Sequence, residues 1–239
     1  MTATYPYGTV RLLPEDSTQP DIIPIGIIVH SAASMGSLYK FFLNGSDLES
    51  TFWVSADGNT EQYMDPTTRA DANRYANRFQ GADGRWYGYI SIETASDVNA
   101  TDPFYDAQYD ELVRLVTWLC ETFNIPAKRC ASSTSPGIGW HVMWGAPGDW
   151  TPVAKSCPGP TRIVQVRDEL IPTVAAAVAA SESGGFLMAL TDKQQGELYL
   201  WTKALHDDYG KPGGVGGPMR ELIKHMSTLV KGLYKKLVG

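Results

Sequence analysis

Three side chains in this sequence have the types and setting to hold a transition metal: His30, His141 and Cys157. Two of them lie in one turn-rich stretch, residues 139–159. It opens as Gly139-Trp140-His141, passes through Pro147, Gly148 and Pro152, and closes on Lys155-Ser156-Cys157-Pro158-Gly159. Imidazole and thiolate are ligands that zinc favours, and a catalytic zinc takes three protein ligands and leaves the fourth position to water. The stretch therefore needs one more ligand from elsewhere. Of the four histidines, His30 is the one that ends an apolar β-type run, residues 22–29. Taken singly, His30 is an ordinary strand-end histidine and His141, between Trp140, Val142 and Trp144, an ordinary core histidine. Their combination with Cys157, whose neighbours Pro158 and Gly159 restrict the local backbone, points to zinc. A closed structural site would need a fourth His or Cys, and none is well placed.

Two further residues suit hydrolysis at such a metal. Lys155 stands two positions before Cys157, so in an extended segment both side chains face the same way. A lysine is usually a solvated surface group, but beside a metal its ammonium can stabilise the oxyanion formed when water attacks a carbonyl. Glu93 ends an otherwise apolar strand. At the sheet edge that carries His30 it could take a proton from the attacking water and hand it to a leaving amine. Asp97 and Asp102 compete for that role but read as loop or helix-cap residues.

The elements that must position these groups follow from periodicity. Residues 1–20, with three prolines, form an irregular lead-in. Residues 22–29 are a nearly unbroken β-branched run of the kind seen in a strand buried on both faces. Its C-terminal end is where open α/β sheets place their sites. Residues 37–44 form a short helix, and residues 52–55 and 60–64 pair as strands around the Asp57-Gly58 turn. Residues 65–88 are polar and read as a long surface loop, and residues 89–93 as a central strand. Residues 106–123 carry apolar groups at 3.6-residue spacing, an amphipathic helix that packs on the sheet. A second helix covers residues 163–180, and residues 181–185 read as a hinge. Beyond it come a helix starting at a Thr191/Gln194 capping box, a glycine-rich break at 210–217, and a last helix with Met219, Leu222, Met226, Leu229, Leu233 and Leu237 on one stripe. The expected fold is thus α/β, a mixed central β-sheet flanked by helices, with residues 1–182 as the catalytic domain and residues 186–239 as a helical C-terminal segment.

Composition limits the function. With 43% apolar and 19% charged residues, the 239-residue chain is an ordinary globular protein. A net charge of −6 argues against a nucleic-acid partner. The charge is uneven: residues 185–239 hold eight Lys/Arg against five Asp/Glu. Such a tail reads as a helical hairpin docked on its own domain or on a second copy, or as a segment drawn to an anionic wall or membrane surface. No secretory signal or transmembrane segment is legible. The three cysteines cannot all pair, and Cys120 and Cys130 read as small buried thiols rather than a disulfide.

The order of the pieces resembles the zinc-dependent N-acetylmuramoyl-L-alanine amidases of type 2, a superfamily of phage endolysins, bacterial cell-wall amidases and peptidoglycan recognition proteins. The pieces are a strand ending in His30, a strand ending in Ile92-Glu93, then His141 and Lys155-x-Cys157-Pro158-Gly159, and the likeness spans roughly residues 20–175. It implies a Zn2+ cofactor held by His30, His141 and Cys157, with bacterial peptidoglycan as the partner. The reaction implied is cleavage of the amide between the lactyl group of N-acetylmuramic acid and the L-alanine of the stem peptide. Lys155 matches the lysine that stabilises the tetrahedral intermediate, and Glu93 the glutamate used as general base in one branch. Another branch uses a tyrosine where this chain has Ser50-Thr51. Many members carry Asp in place of Cys157. Where many members have a Trp-His-Ala-Gly stretch, this chain reads Asp71-Ala72-Asn73-Arg74. Trp140, Trp144 and Trp150 are candidates to line the groove. The resemblance is strongest to endolysins, which stay in the host cytoplasm until released onto the wall. A non-catalytic peptidoglycan-binding module is the alternative, though such members usually lack the cysteine.

Overall fold

In the computed structural model, residues 3–182 are described; the expected helices and the glycine-rich break within 186–239 lie outside them. Seven strands form one sheet: β1 (Thr9–Val10), β2 (Ile23–Val29), β3 (Phe52–Val54), β4 (Thr60–Gln62), β5 (Phe79–Gln80), β6 (Trp86–Thr94) and β7 (Gly137–Trp140). Their order is β1-β4-β3-β6-β2-β7, with β5 pairing on β6. β2 runs parallel to both β6 and β7, and β3 runs parallel to β6. The β3–β4 hairpin and the β5–β6 pair are antiparallel, so the sheet is mixed as expected.

Three adjacent parallel strands therefore end at one edge, and their register decides what meets there. Val29 lies opposite Ile92 on one side and Trp140 on the other. All three point into the same core, with Ile27, Ile90 and Ile138. Because side chains alternate along a strand, the next residues, His30, Glu93 and His141, emerge side by side on the opposite face.

Helix α2 (Asp106–Phe123) covers the first face through Leu112, Leu115, Val116 and Leu119. Beside it runs a continuous helical rod made of α3 (Pro160–Gln165), a π-helical turn (Val166–Leu170) and α4 (Ile171–Glu182), which buries Val166, Leu170 and Val174. The rod starts at Pro160, earlier than the expected residue 163, because proline is favoured at a first helical position. It continues through Ser181, the first residue of the expected hinge. A short helix α1 (Tyr39–Leu43) packs Phe42 against Trp53, Tyr63 and Met64. No helix among the described residues is long and apolar enough to cross a membrane.

One sequence expectation fails, and one strand was not anticipated. The polar segment 65–88 is not a surface loop. It contains a 3-10 turn (Arg74–Asn77), β5 and the start of β6, and Asp65, Thr68, Asn73 and Asn77 are buried. Its polar groups bond one another and the backbone: Thr67 donates to Asp65 Oδ1, Asn77 Nδ2 to the Asp71 carbonyl, and Asp71 and Ala72 N–H to the Glu49 carbonyl. Polarity signalled hydrogen bonding rather than exposure. The stretch before His141 is likewise a strand, β7, hidden from pattern reading by its glycines. One reason for glycine is visible on the pairing strand: a Cβ on Gly26 would run into the Gly137 carbonyl oxygen and the Tyr89 ring.

Candidate metal centre

At the sheet edge, one ligand atom each from His30, His141 and Cys157 lies within 4.8 Å of the others. Each ring is turned by a bond on its far nitrogen. His30 Nε2 donates to Asn73 Oδ1 at 2.7 Å. The direction of that bond is set by Asn73 Nδ2, which donates to the Tyr89 carbonyl at 3.1 Å. His141 Nε2 donates to the Trp150 carbonyl at 2.9 Å. Both rings therefore present an unprotonated Nδ1 to the centre, and His141 Nδ1 is buried with no hydrogen-bond partner among the described residues. An orphaned lone pair of this kind is uncommon in a protein interior. Tethering the far nitrogen to an oxygen is the usual outer-shell arrangement of a metal-binding histidine. The Cys157 sulfur accepts the Ser31 N–H at 3.2 Å.

The electrostatics agree with a site built for a cation. Burial holds the His30 imidazole far below its ordinary value, and burial followed by Lys155 lowers His141 to about 3. Burial and the neighbouring Glu93 push the Cys157 thiol up to about 12. Protein groups alone thus leave all three ligands uncharged, and a divalent cation would turn the thiol into a thiolate and use both lone pairs. The donors present fit a metal.

Glu93 Oε1 lies 3.6 Å from His30 Nδ1, and Oε2 is buried without a partner among the described residues. Burial raises its carboxyl to about 7, and Lys155 pulls the other way. Lys155 is exposed, and its charge acts on His30, His141, Cys157 and Glu93. The rival carboxylates are elsewhere. Asp97 is spent on the N–H groups of Asn99 and Thr101 and on the Thr101 hydroxyl. Asp102 pairs with Arg162 at 3.1 Å. Cys120 and Cys130 are free, buried thiols. Trp150 and Trp140 are 1% and 9% exposed and pack in two cores, so neither lines a groove; Trp144 is half-buried against Trp150.

A family profile described as N-acetylmuramoyl-L-alanine amidase matches residues 20–160. The chain belongs to this amidase family. The enzyme is accordingly a peptidoglycan hydrolase. Its fold is that of the Staphylococcus aureus hydrolase AmiA solved with its ligand, at 10% identity and a TM-score of 0.52, covering 76% of this chain and 87% of that one. The PlyG catalytic domain matches at 19% identity and a TM-score of 0.51 over 71% of this chain and 94% of that one. PlyL matches at 19% and 0.50 over 70% and 96%. No curated protein matches the amidase by sequence.

Several supporting residues escaped sequence reading. Asn73 orients His30 across a separation of 43 residues; the resemblance marked residues 71–74 only as a departure from Trp-His-Ala-Gly and gave Asn73 no role. Arg162, fully buried, donates to the carbonyls of Asp102 and Pro103 and to the Thr94 hydroxyl, which donates to the His30 carbonyl. Gly159 sits at φ 99, ψ 154, a region open essentially to glycine, and a Cβ there would strike the Ala100 carbonyl. The requirement for an acceptor on each histidine's far nitrogen was the one usable signal, but sequence does not locate the acceptor. Replacing Asn73 with Leu should weaken metal binding by about 10- to 100-fold with the fold retained. Competitive chelator titration measures this, and unchanged affinity would show that the Asn73 bond does not matter.

Proposed function

We propose that His30 Nδ1, His141 Nδ1 and Cys157 Sγ hold a zinc ion, and that Glu93 and Lys155 carry out amide hydrolysis beside it. The observation that carries this reading is the convergence of three metal-type donors within 4.8 Å, with the raised carboxyl of Glu93 3.6 Å from one of them. When bound, zinc would lower the pKa of water and polarise a carbonyl. Glu93 accepts the proton of the attacking water, for which a carboxyl near 7 is well matched at neutral pH, and returns it to the departing L-alanine nitrogen. The Lys155 ammonium faces the negative charge that gathers on the lactyl oxygen. Asn73 and the Trp150 carbonyl hold the two imidazoles in the tautomer that leaves Nδ1 free.

We extend this to the physiological role of a phage endolysin, made in the host cytoplasm and acting on the wall after release; the peptidoglycan chemistry of the family supports it. Residues 186–239 would add wall attachment or self-association, in keeping with their excess of Lys/Arg. Co-sedimentation with sacculi and the oligomeric state of the full chain distinguish these two. The central test is incubation with purified peptidoglycan. New L-alanine amino termini should appear, cease on chelation and return with zinc, at about one zinc per chain. Activity indifferent to chelation would remove the metal from the reaction, and binding without release would leave a recognition module.

A further inference from the structure

Away from the metal centre, three carboxylates from distant parts of the chain converge. Glu15 on the 3-10 turn Pro14–Ser17, Glu49 just before β3, and Asp71 in the segment that carries Asn73 each bring an oxygen within 4.8 Å of the others. Asp71 is compensated, since Arg69 binds its Oδ1 and Gln19 Nε2 donates to Oδ2 at 2.8 Å. Glu49 is not. It is 1% exposed, the Ser46 hydroxyl donates to Oε1 at 2.9 Å, and Oε2 is buried with no hydrogen-bond partner among the described residues. Neither Glu49 nor Glu15 forms an ion pair among the described residues. Burial, the charge of Glu49 and a carboxyl–carboxylate hydrogen bond with it, then the charges of Asp71 and Asp47, raise the Glu15 carboxyl. A buried carboxylate crowded against two others is unfavourable unless a proton or a cation joins them.

We propose that Glu15, Glu49 and Asp71 form a second metal site, for a hard divalent cation of the calcium type. All three donors are carboxylate oxygens, which select such ions over zinc, and three protein carboxylates exceed the one or two that magnesium usually takes. Water completes the coordination. The cation clamps three chain segments that the backbone has already brought together, because the Glu49 carbonyl accepts the N–H groups of Asp71 at 2.9 Å and Ala72 at 3.0 Å. Asn73, which orients His30, lies two residues beyond Asp71. Occupancy therefore stiffens the outer support of the first metal centre, although the assignment stands on the carboxylates alone.

Calcium titration of the zinc-loaded full chain, by calorimetry and thermal melting at constant ionic strength, tests the site. Saturable one-site binding is expected at a Kd of about 10−4 to 10−3 M. Tm should rise by about 5 °C at saturation. The amides of residues 71–73 should exchange more slowly, and magnesium should give a weaker response. Glu49→Gln and Glu15→Gln should each abolish the calcium response. Glu15 is half-buried, so its variant decides the matter if Glu49→Gln does not fold. The site is overturned if the native chain shows no saturable calcium response, if Glu15→Gln responds as the native chain does, or if sodium at equal ionic strength has the same effect. A melt insensitive to calcium, with a pH dependence that Glu49→Gln removes, would assign the cluster a shared proton instead and equally overturn it.

Discussion

Glu93→Gln should retain the metal and lose the reaction. The amide is nearly isosteric with the carboxylate, so the fold and the three donors should persist, and zinc content per chain should match the native enzyme. Release of L-alanine amino termini should fall by about 10²- to 10⁴-fold, the usual worth of a positioned proton acceptor. The pH dependence should change with it. In the native enzyme kcat/KM should rise with pH as Glu93 loses its proton. Burial sets that step at about 7 in the metal-free chain, and a nearby cation draws it down. The variant should lack this limb. Stability of the metal-free chain gives a second readout. The Glu93 carboxyl is raised from 4.5 to about 7 in the fold, so its contribution is fully present below 4.5 and is lost as pH rises through 7. Glu93→Gln should remove that slope. A variant within a few-fold of native activity would take Glu93 out of the mechanism.

The second large effect belongs to a residue that does not touch the centre. Arg162 is fully buried, and its guanidinium binds Asp102, two backbone carbonyls and Thr94. Arg162→Leu leaves the largely buried Asp102 carboxylate without its counter-charge. Removing one partner of such a pair costs about 3–5 kcal/mol. The corresponding fall in Tm is on the order of 10 °C for a domain of this size. Urea denaturation should show a loss of that size, and adding Asp102→Asn should recover part of it, since the two changes share one interaction. A loss under about 1 kcal/mol would mean that Arg162 is not a structural anchor.

The division between what was and was not legible in the sequence follows the range of each interaction. His30, Glu93, His141 and Cys157 could be read because each sits beside a local signal: an apolar strand that stops, or a proline and glycine that shape the next turn. Once the parallel register is known, alternation alone places the two imidazoles and the carboxylate on one face. Asn73 and Arg162 carry no such signal. Their partners lie 43 and 68 residues away, and a polar residue that will be buried looks in sequence like one that will be solvated. The same ambiguity made segment 65–88 read as surface. The short strand β7 was hidden because its glycines serve close packing and erase the side-chain pattern.

The thiol enters late. Cys157 meets Ser31, which precedes it by 126 residues, and Gly159 packs against the Ala100 carbonyl just before the rod that begins at Pro160. On the proposed ligand set, a nascent chain arrested between residues 141 and 157 would carry both imidazoles yet lack the third donor, so hydrolytic competence would arrive only once synthesis has passed the cysteine. A translation product that stops short of Cys157 would on that ligand set be inert toward peptidoglycan.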